Sequence, residues 1–360
     1  MNMSIINRYL TNIVIRFFTI LMGALVALYY IVDFFEKIEN FIESKIAVSK
    51  IIMYFALKLP FITSQMIPIC FLLAVIITFG LMNRYNELLA LRSSGVGILA
   101  LLKPILVIGG VLGVILFILS EMVVPATISR ANRLWLVEVK KKSLNTSRAR
   151  NIWIKENQKI IHIGYYNPAK KAIFGLVVYE FDSEFNLVRR LDAKKGVFNG
   201  QNWALNQVME QIYNSNTKGY DVIPRDKAAE TINLKPDDLT RVVKGSEEMG
   251  FAELWTYIKQ VESEGYDATP YEVDLHAKAA FPFVCLLMGL LGTGIAAKIR
   301  PKESLPVLIA AAIVLAFLYW TGYGLFISLG YGEVLPPPMA AWTANAVFLF
   351  LGIYLMALAV

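Results

Sequence analysis

Six apolar stretches, each long enough to cross a bilayer, divide this chain into three, a polar block of about 150 residues, and three more. A hydrocarbon core about 30 Å thick takes roughly 20 predominantly apolar residues in a helix. The stretches lie near 12–34, 52–80, 98–123, 275–297, 305–329 and 339–360. The block between the third and the fourth is predicted to fold outside the membrane. Of 360 residues, 56% are hydrophobic and the mean hydropathy is +0.53, against about 45–50% apolar residues in an ordinary globular domain. The chain reads as an integral membrane protein.

Lys and Arg in short loops set orientation. Arg8 precedes the first stretch, Arg84 and Arg92 lie between the second and third, and Lys298, Arg300 and Lys302 between the fourth and fifth. These ends are assigned to the cytoplasm. On the other side, Asp33, Glu36, Glu39 and Glu43 outnumber Lys37, Lys45 and Lys50, and Glu333 is the sole charge from Gly330 to Pro338. Both termini are therefore expected inside and the polar block outside, in the periplasm of a bacterium. The net charge of +7 and pI near 9.1 follow from this topology and imply no nucleic acid partner. The first stretch is followed by Asp33-Phe34-Phe35-Glu36 and not by a small-residue cleavage site, so it is expected to remain as a span. Cys70 and Cys285 fall inside spans and are read as small hydrophobes, not as a disulfide or metal site.

Pro60 and Pro68 interrupt the second span and Pro104 lies near the start of the third; neighbouring helices can satisfy the carbonyls they free. Gly109 and Gly113 give a G-x-x-x-G spacing, and Gly289, Gly292 and Gly294 smooth the fourth span. Either these faces permit close helix packing, or they reflect the ordinary glycine content of membrane helices. From Arg130 to Ser143 a charged helical pattern continues the third span outward. The period then changes. Segments 151–154, 159–165, 173–181, 186–198, 202–212 and 219–233 are rich in β-branched and aromatic residues, and turn formers such as Asn167-Pro168 and Asn199-Gly200 separate them. That pattern predicts a β sandwich or jellyroll, with Trp153, Ile161, Phe174, Val178 and Trp203 in its interior. After Gly250, the residues Phe251, Leu254, Trp255, Ile258 and Val261 recur at helical spacing up to Gly265. The expected fold class is thus an α+β membrane protein, with six transmembrane helices (3+3) flanking a periplasmic jellyroll-like domain. Its parts are 1–125, 126–265 and 266–360.

An enzyme finds little support in these residues. His162 and His276 have no ligand-spaced Cys, Asp or Glu around them, no G-x-S-x-G elbow occurs, and no cofactor is implied. The chain has no Walker A sequence, so any ATP-driven work requires another subunit. Two sets of residues remain as candidate sites. The segment 83–95 reads as a short cytoplasmic helix with charges at Arg84, Glu87 and Arg92 and an apolar side of Leu88, Leu89 and Leu91. It suits either a groove on a partner or the lipid surface. At the outer end of the first span, Asp33, Glu36 and Lys37 suit either a charged lipid headgroup or mutual neutralisation. Arg16, Lys58 and Lys103 are expected to snorkel, and Asp274 and Lys278, four apart, to pair.

With the segments located, a resemblance emerges in Asn7-Arg8-Tyr9-Leu10; Val32-Asp33; Leu59-Pro60 and Ile67-Pro68; Glu87-Leu88 through Ser94-Gly95; Pro125; Trp203-Ala204-Leu205; Asn233-Leu234-Lys235-Pro236-Asp237; Tyr257-Ile258 with Gly265; and Lys278 with Pro282. In order and spacing the chain resembles the LptF/LptG family of lipopolysaccharide export permeases over essentially its full length. Tyr271 to Pro282 and the Leu335-Pro336-Pro337-Pro338 turn resemble the LptG branch more than the LptF branch. The resemblance implies a heterodimer with an LptF-type subunit, two LptB ATPase subunits, LptC, and a periplasmic bridge through LptA. Lipopolysaccharide is then expected to enter laterally between span one of one subunit and span five of the other. The ATPase-coupling position falls on Glu87, with Arg84, Leu88 and Arg92 around it. The lipid-binding positions fall on Tyr30, Asp33, Phe34 and Lys37, and Tyr30 replaces a basic residue found in some members, leaving Lys37 as the cation. Two other readings stay open at this stage: a membrane-anchored periplasmic binding or scaffold protein, and an ABC permease of the efflux or lipoprotein-release type. The latter usually has four spans.

Overall fold

The first two spans form a long antiparallel hairpin, Ile5–Ser44 (α1) and Val48–Arg84 (α2), of 40 and 37 residues. At 1.5 Å per residue each is about 55–60 Å long, so both project well past a bilayer core. The computed structural model describes residues 5–139, 150–156, 158–167, 171–199, 202–214, 219–230, 245–263, 267–297 and 305–358. Lys298, Arg300 and Lys302, the 233–237 motif and Gly265 lie outside the described residues.

A short helix, Glu87–Ser93 (α3), precedes the third span, Ile98–Ile118 (α4). This span does not stop at the membrane surface. It passes through a π turn at Leu119–Val123 into Val124–Leu134 (α5) and a second π turn at Trp135–Val139. The first π turn leads into Pro125, which has no N–H for an i→i−4 bond, and the extra residue in the turn absorbs that missing donor. After the β domain come Phe251–Ser263 (α6), Thr269–Ala280 (α7), Val284–Ala297 (α8), Leu305–Tyr331 (α9) and Pro337–Ala357 (α10). The helices α7 and α8 form one span broken by a 3-10 turn at Phe281–Phe283, where Pro282 stands. Beside that break the Asn345 amide donates to the Ala280 carbonyl at 2.8 Å, while Tyr319 donates to Asn345 Oδ1 at 2.7 Å. One polar chain thus joins the last three spans.

Small residues on α4 and α8 let the backbones meet. A Cβ on Gly109 would lie 3.0 Å from the Cys285 carbonyl oxygen, and one on Gly113 would lie 2.9 Å from that of Pro282. The close-packing reading of the G-x-x-x-G pair is the one the structure bears out. Two spans differ from the rest. Their most apolar windows are only 6% buried in α1 and 22% in α9, against 72% in α2. Both present large apolar faces that no described residue covers.

The β domain is one antiparallel meander: Arg150–Glu156 (β1), Lys159–Asn167 (β2), Ala172–Phe181 (β3), Leu187–Phe198 (β4), Trp203–Asn214 (β5) and Gly219–Glu230 (β6). A line of irregular positions crosses it. The ladders pass over Gly164 opposite Gly175, Lys194 opposite Gly175, and Gln207 opposite Lys194. Gly175 and Gln207 have φ of +65° and +54°. On either side of this line the buried face shifts phase by one residue, from Ile163 to Tyr166, Leu176 to Ile173, Ala193 to Gly196 and Val208 to Leu205. Strict period-two alternation would turn those side chains outward; a bend at each strand keeps them on one concave side. The sheet folds about this corner and closes over its own inner face, giving the jellyroll-like shape.

Ile161, Val178 and Trp203 are buried on that inner face. Trp153 and Phe174 are not, which corrects the expected interior. Trp153 is 49% exposed and lies against His162, ring centroids 4.3 Å apart. Phe174 stacks on Tyr165 at 5.8 Å with the Lys195 ammonium 5.9 Å from its ring. The physical reason is the corner: Phe174 immediately precedes Gly175, where the parity of β3 changes. Trp153 pairs with His162 across β1 and β2, between inward-facing Ile161 and Ile163.

Candidate functional site

Two clusters at opposite ends of α1 gather the candidate residues. At the C-terminal end, Asp33 is 4% exposed and accepts hydrogen bonds from Lys58 Nζ at 3.1 Å (Oδ1) and 3.2 Å (Oδ2). Lys37, one turn along α1, donates to Oδ1 as well. Aromatic faces surround both ammonium groups. Lys58 Nζ is 5.8 Å from the Tyr29 ring and 5.6 Å from Tyr54, and Lys37 Nζ is 5.9 Å from Tyr54 and 5.6 Å from Trp135. These are cation–π distances. Lys58, expected to snorkel, instead turns inward to a carboxylate 25 residues away in sequence. The sequence signal that finds it is a lone cation inside an apolar span, which needs a partner.

Tyr30 and Phe34 lie on the same stripe of α1 as Lys37, at helical spacings of four and three. They line an apolar groove of about 650 Å³ with Ile52, Phe55 and Leu59 of α2. The Tyr30 hydroxyl donates to the Phe55 carbonyl at 2.8 Å, and its ring serves the groove as an apolar wall.

At the N-terminal end of α1 stands α3. Asn86 takes the left-handed conformation, φ +61°, and turns the chain out of α2 into α3. Tyr9 Oη donates to Glu87 Oε2 at 2.8 Å, and Arg92 Nη2 donates to the Ala297 carbonyl at the end of α8, at 2.9 Å. The expected apolar side of α3 divides. Leu88 is buried in the same core as Leu10 and Ile98, whereas Leu89 is 59% exposed. Arg84 is exposed at the end of α2. This helix is therefore held to two spans, and Leu89 on it and Arg84 and Tyr85 just before it are exposed.

A third cluster has no trace in the sequence as a unit. Asp274 does not form the expected ion pair with Lys278; it accepts hydrogen bonds from Ser246, just after the β domain, and from Tyr331, at the end of α9. Asn132 donates to Glu248 Oε1 at 2.7 Å, and the Phe251 amide donates to Glu121. The chain returning from the β domain is thus fastened to the third and fourth spans, and the fifth joins through Asp274. Ser246, Asp274 and Tyr331 border a cavity of about 360 Å³ lined also by Gln65, Glu247, Lys278, Trp320 and Tyr323. The carboxyl of Glu247 is held above the usual carboxylate range by desolvation, reinforced by Glu248 and Asp274 and opposed by Lys278.

The chain matches the family profile described as lipopolysaccharide export system permease LptF/LptG over residues 8–358. Among curated proteins it is similar to the lipopolysaccharide export system permease protein LptG of Escherichia coli strain K12, with 22% identity over 358 residues and 98% of each chain covered. The protein of the same name from Escherichia coli O6:H1 strain CFT073 matches to the same extent.

Proposed function

Because the chain belongs to the LptF/LptG family of lipopolysaccharide export system permeases, we propose that it is an LptG-type subunit of an ABC exporter, paired with an LptF-type subunit. In this reading it hydrolyses nothing itself: two LptB subunits supply ATP hydrolysis through α3, and LptC completes the assembly. Lipopolysaccharide leaves the outer leaflet of the inner membrane past α1 and continues by way of the periplasmic β domain toward LptA. The LptG-type assignment is supported by the Tyr271–Pro282 segment, the Leu335–Pro338 turn and the name shared by the two relatives.

The observation that carries this reading is the stripe of Tyr30, Phe34 and Lys37 on a helix whose apolar window is only 6% buried. An apolar groove beside an ammonium group suits an amphiphile with acyl chains and phosphates. Removing such a lipid from a bilayer costs about 0.8 kcal/mol per CH₂, so pulling several chains out through water costs tens of kcal/mol. Sliding them along apolar walls, from α1 into the bundle and then along the concave β sheet, avoids that exposure. Site-specific photocrosslinking tests it: a photoreactive residue at Phe34 should capture lipopolysaccharide in cells. Capture at α9 without capture at Phe34 or Lys37 would move the entrance to the opposite gate.

A further inference from the structure

Asp33 serves two ammonium groups at once. Its Oδ1 accepts from both Lys37 and Lys58, and its Oδ2 accepts from Lys58 at 3.2 Å. Two cations on one carboxylate leave the cluster with one unit of positive charge, at a depth where an unmatched charge is costly.

The two lysines are not equivalent. Lys58 holds both carboxylate oxygens, lies between the Tyr29 and Tyr54 rings, and has a side chain 11% exposed. Lys37 also lies near two rings, Tyr54 and Trp135, but it reaches one oxygen only, and its side chain is 18% exposed. It stands three residues beyond the groove-lining Phe34 on α1, and its flexible stem can swing the ammonium outward without moving α1. Glu36, its neighbour in sequence, is exposed to solvent.

We infer that this triad is a counter-ion exchange site for a phosphate-bearing headgroup. Lys58 is the permanent partner of Asp33, and Lys37 is the transferable cation. When a phosphate takes Lys37, Asp33 keeps its bidentate contact with Lys58, so no buried carboxylate is orphaned by binding. Lys58 is thus a positioning residue: it never meets the ligand, and it sets the availability of Lys37. The inference rests on the lipid-contact reading of Lys37 given above and adds to it the exchange of partners and the residue that frees the cation.

The test is binding of fluorescent lipopolysaccharide to the purified full permease complex in detergent, with inorganic phosphate and a phosphate-free glycolipid as competitors. Lys58→Met forces Asp33 onto Lys37 and should weaken binding roughly tenfold or more. Lys58→Arg should keep the affinity. Asp33→Asn combined with Lys58→Met removes the competing carboxylate and should restore binding to within about twofold of wild type, a rescue that loss of the Lys58 tie between α1 and α2 does not predict. Unchanged binding by Lys58→Met, or a double variant as weak as the single one, overturns the exchange mechanism. Should Lys58→Met fail to assemble, the double variant is compared with wild type directly, because it leaves no orphaned carboxylate: affinity within about twofold supports the exchange, and a tenfold loss overturns it. Lys37→Met with unchanged affinity overturns instead the lipid-contact reading on which the mechanism rests. Displacement by the phosphate-free glycolipid as effective as by unlabelled lipopolysaccharide overturns phosphate recognition, and equal displacement by inorganic phosphate overturns the headgroup as its source.

Discussion

The Tyr9 hydroxyl donates to Glu87 Oε2 at 2.8 Å across 78 residues of sequence, tying the N-terminal end of α1 to the first turn of α3. At its other end α1 is tied to α2 through Asp33 and Lys58. Between these anchors one side of α1 packs on the core through Phe17, Phe18, Leu21, Met22 and Leu25, while its other side is exposed among the described residues. A helix held at both ends and packed on one side only can transmit a tilt from one end to the other. A hydrogen bond to a charged group contributes about 1.5–3 kcal/mol, with the lower end suited to this exposed pair. Tyr9→Phe should therefore leave ATPase copurification intact while lowering lipid release per ATP hydrolysed, whereas Glu87→Ala should reduce both. Equal loss of copurification in the two variants would mean that Tyr9 belongs to the docking surface.

The β domain is expected on the periplasmic side. Asn199 is exposed at the β4–β5 turn, where its side chain accepts from the Asn202 amide at 2.8 Å. In a Cys70→Ala, Cys285→Ala background, Asn199→Cys should react with a membrane-impermeant maleimide added from the periplasm. Reaction from the cytoplasmic side alone would invert the topology.

The contact of α4 with the fourth span rests on backbone approach. With Gly113 Cβ space ending 2.9 Å from the Pro282 carbonyl oxygen, Gly113→Val should cost about 1–3 kcal/mol, the usual range for overpacking. Gly23, with nothing within 4 Å of an added Cβ, should tolerate Ala. Thermal unfolding of the two variants in detergent compares them directly, and equal melting temperatures would contradict the close packing.

At the sheet corner Gly175 holds φ of +65°. A side chain there costs roughly 1–2 kcal/mol by left-handed strain, even though Gly164 is its nearest neighbour at 3.8 Å. Gly175→Ala should lower the midpoint of the β-domain transition, followed by the fluorescence of buried Trp203 in the full-length protein. An unchanged midpoint would show that the corner relaxes without glycine.

Glu247 supplies a pH dependence of definite sign. Its folded-state pKa is raised, first by desolvation and then by Glu248 and Asp274, so the folded protein binds this proton more tightly than the unfolded chain does. Stability from this group increases as the pH falls through the raised value, and the gain is complete below the ordinary carboxylate range. Glu247→Gln should melt higher than wild type at neutral pH and lose part of the acid-side gain. A variant less stable than wild type at neutral pH would mean that the carboxylate is held by a favourable contact in its charged form.

Much of this architecture is legible in short-range patterns. Long apolar runs mark all six spans, alternation with turn formers marks the strands, and the isolated Glu87-Leu88 segment marks α3, because each of these signals repeats within one element. The relationships that build the candidate sites have no such local trace. Asp33 meets Lys58 25 residues away, Asp274 meets Tyr331 57 residues away, and Tyr9 meets Glu87. Trp153 and Phe174 depart from the expected interior because alternation gives the two faces of a strand but not which face curls inward, and a corner at Gly175 and Gln207 changes the parity midway. Local periodicity decided which residues are helix, strand and apolar, since those preferences act between near neighbours. Tertiary packing alone decided which charges found partners, because a buried charge is stable only beside its counter-ion, and folding brings that counter-ion from elsewhere in the chain.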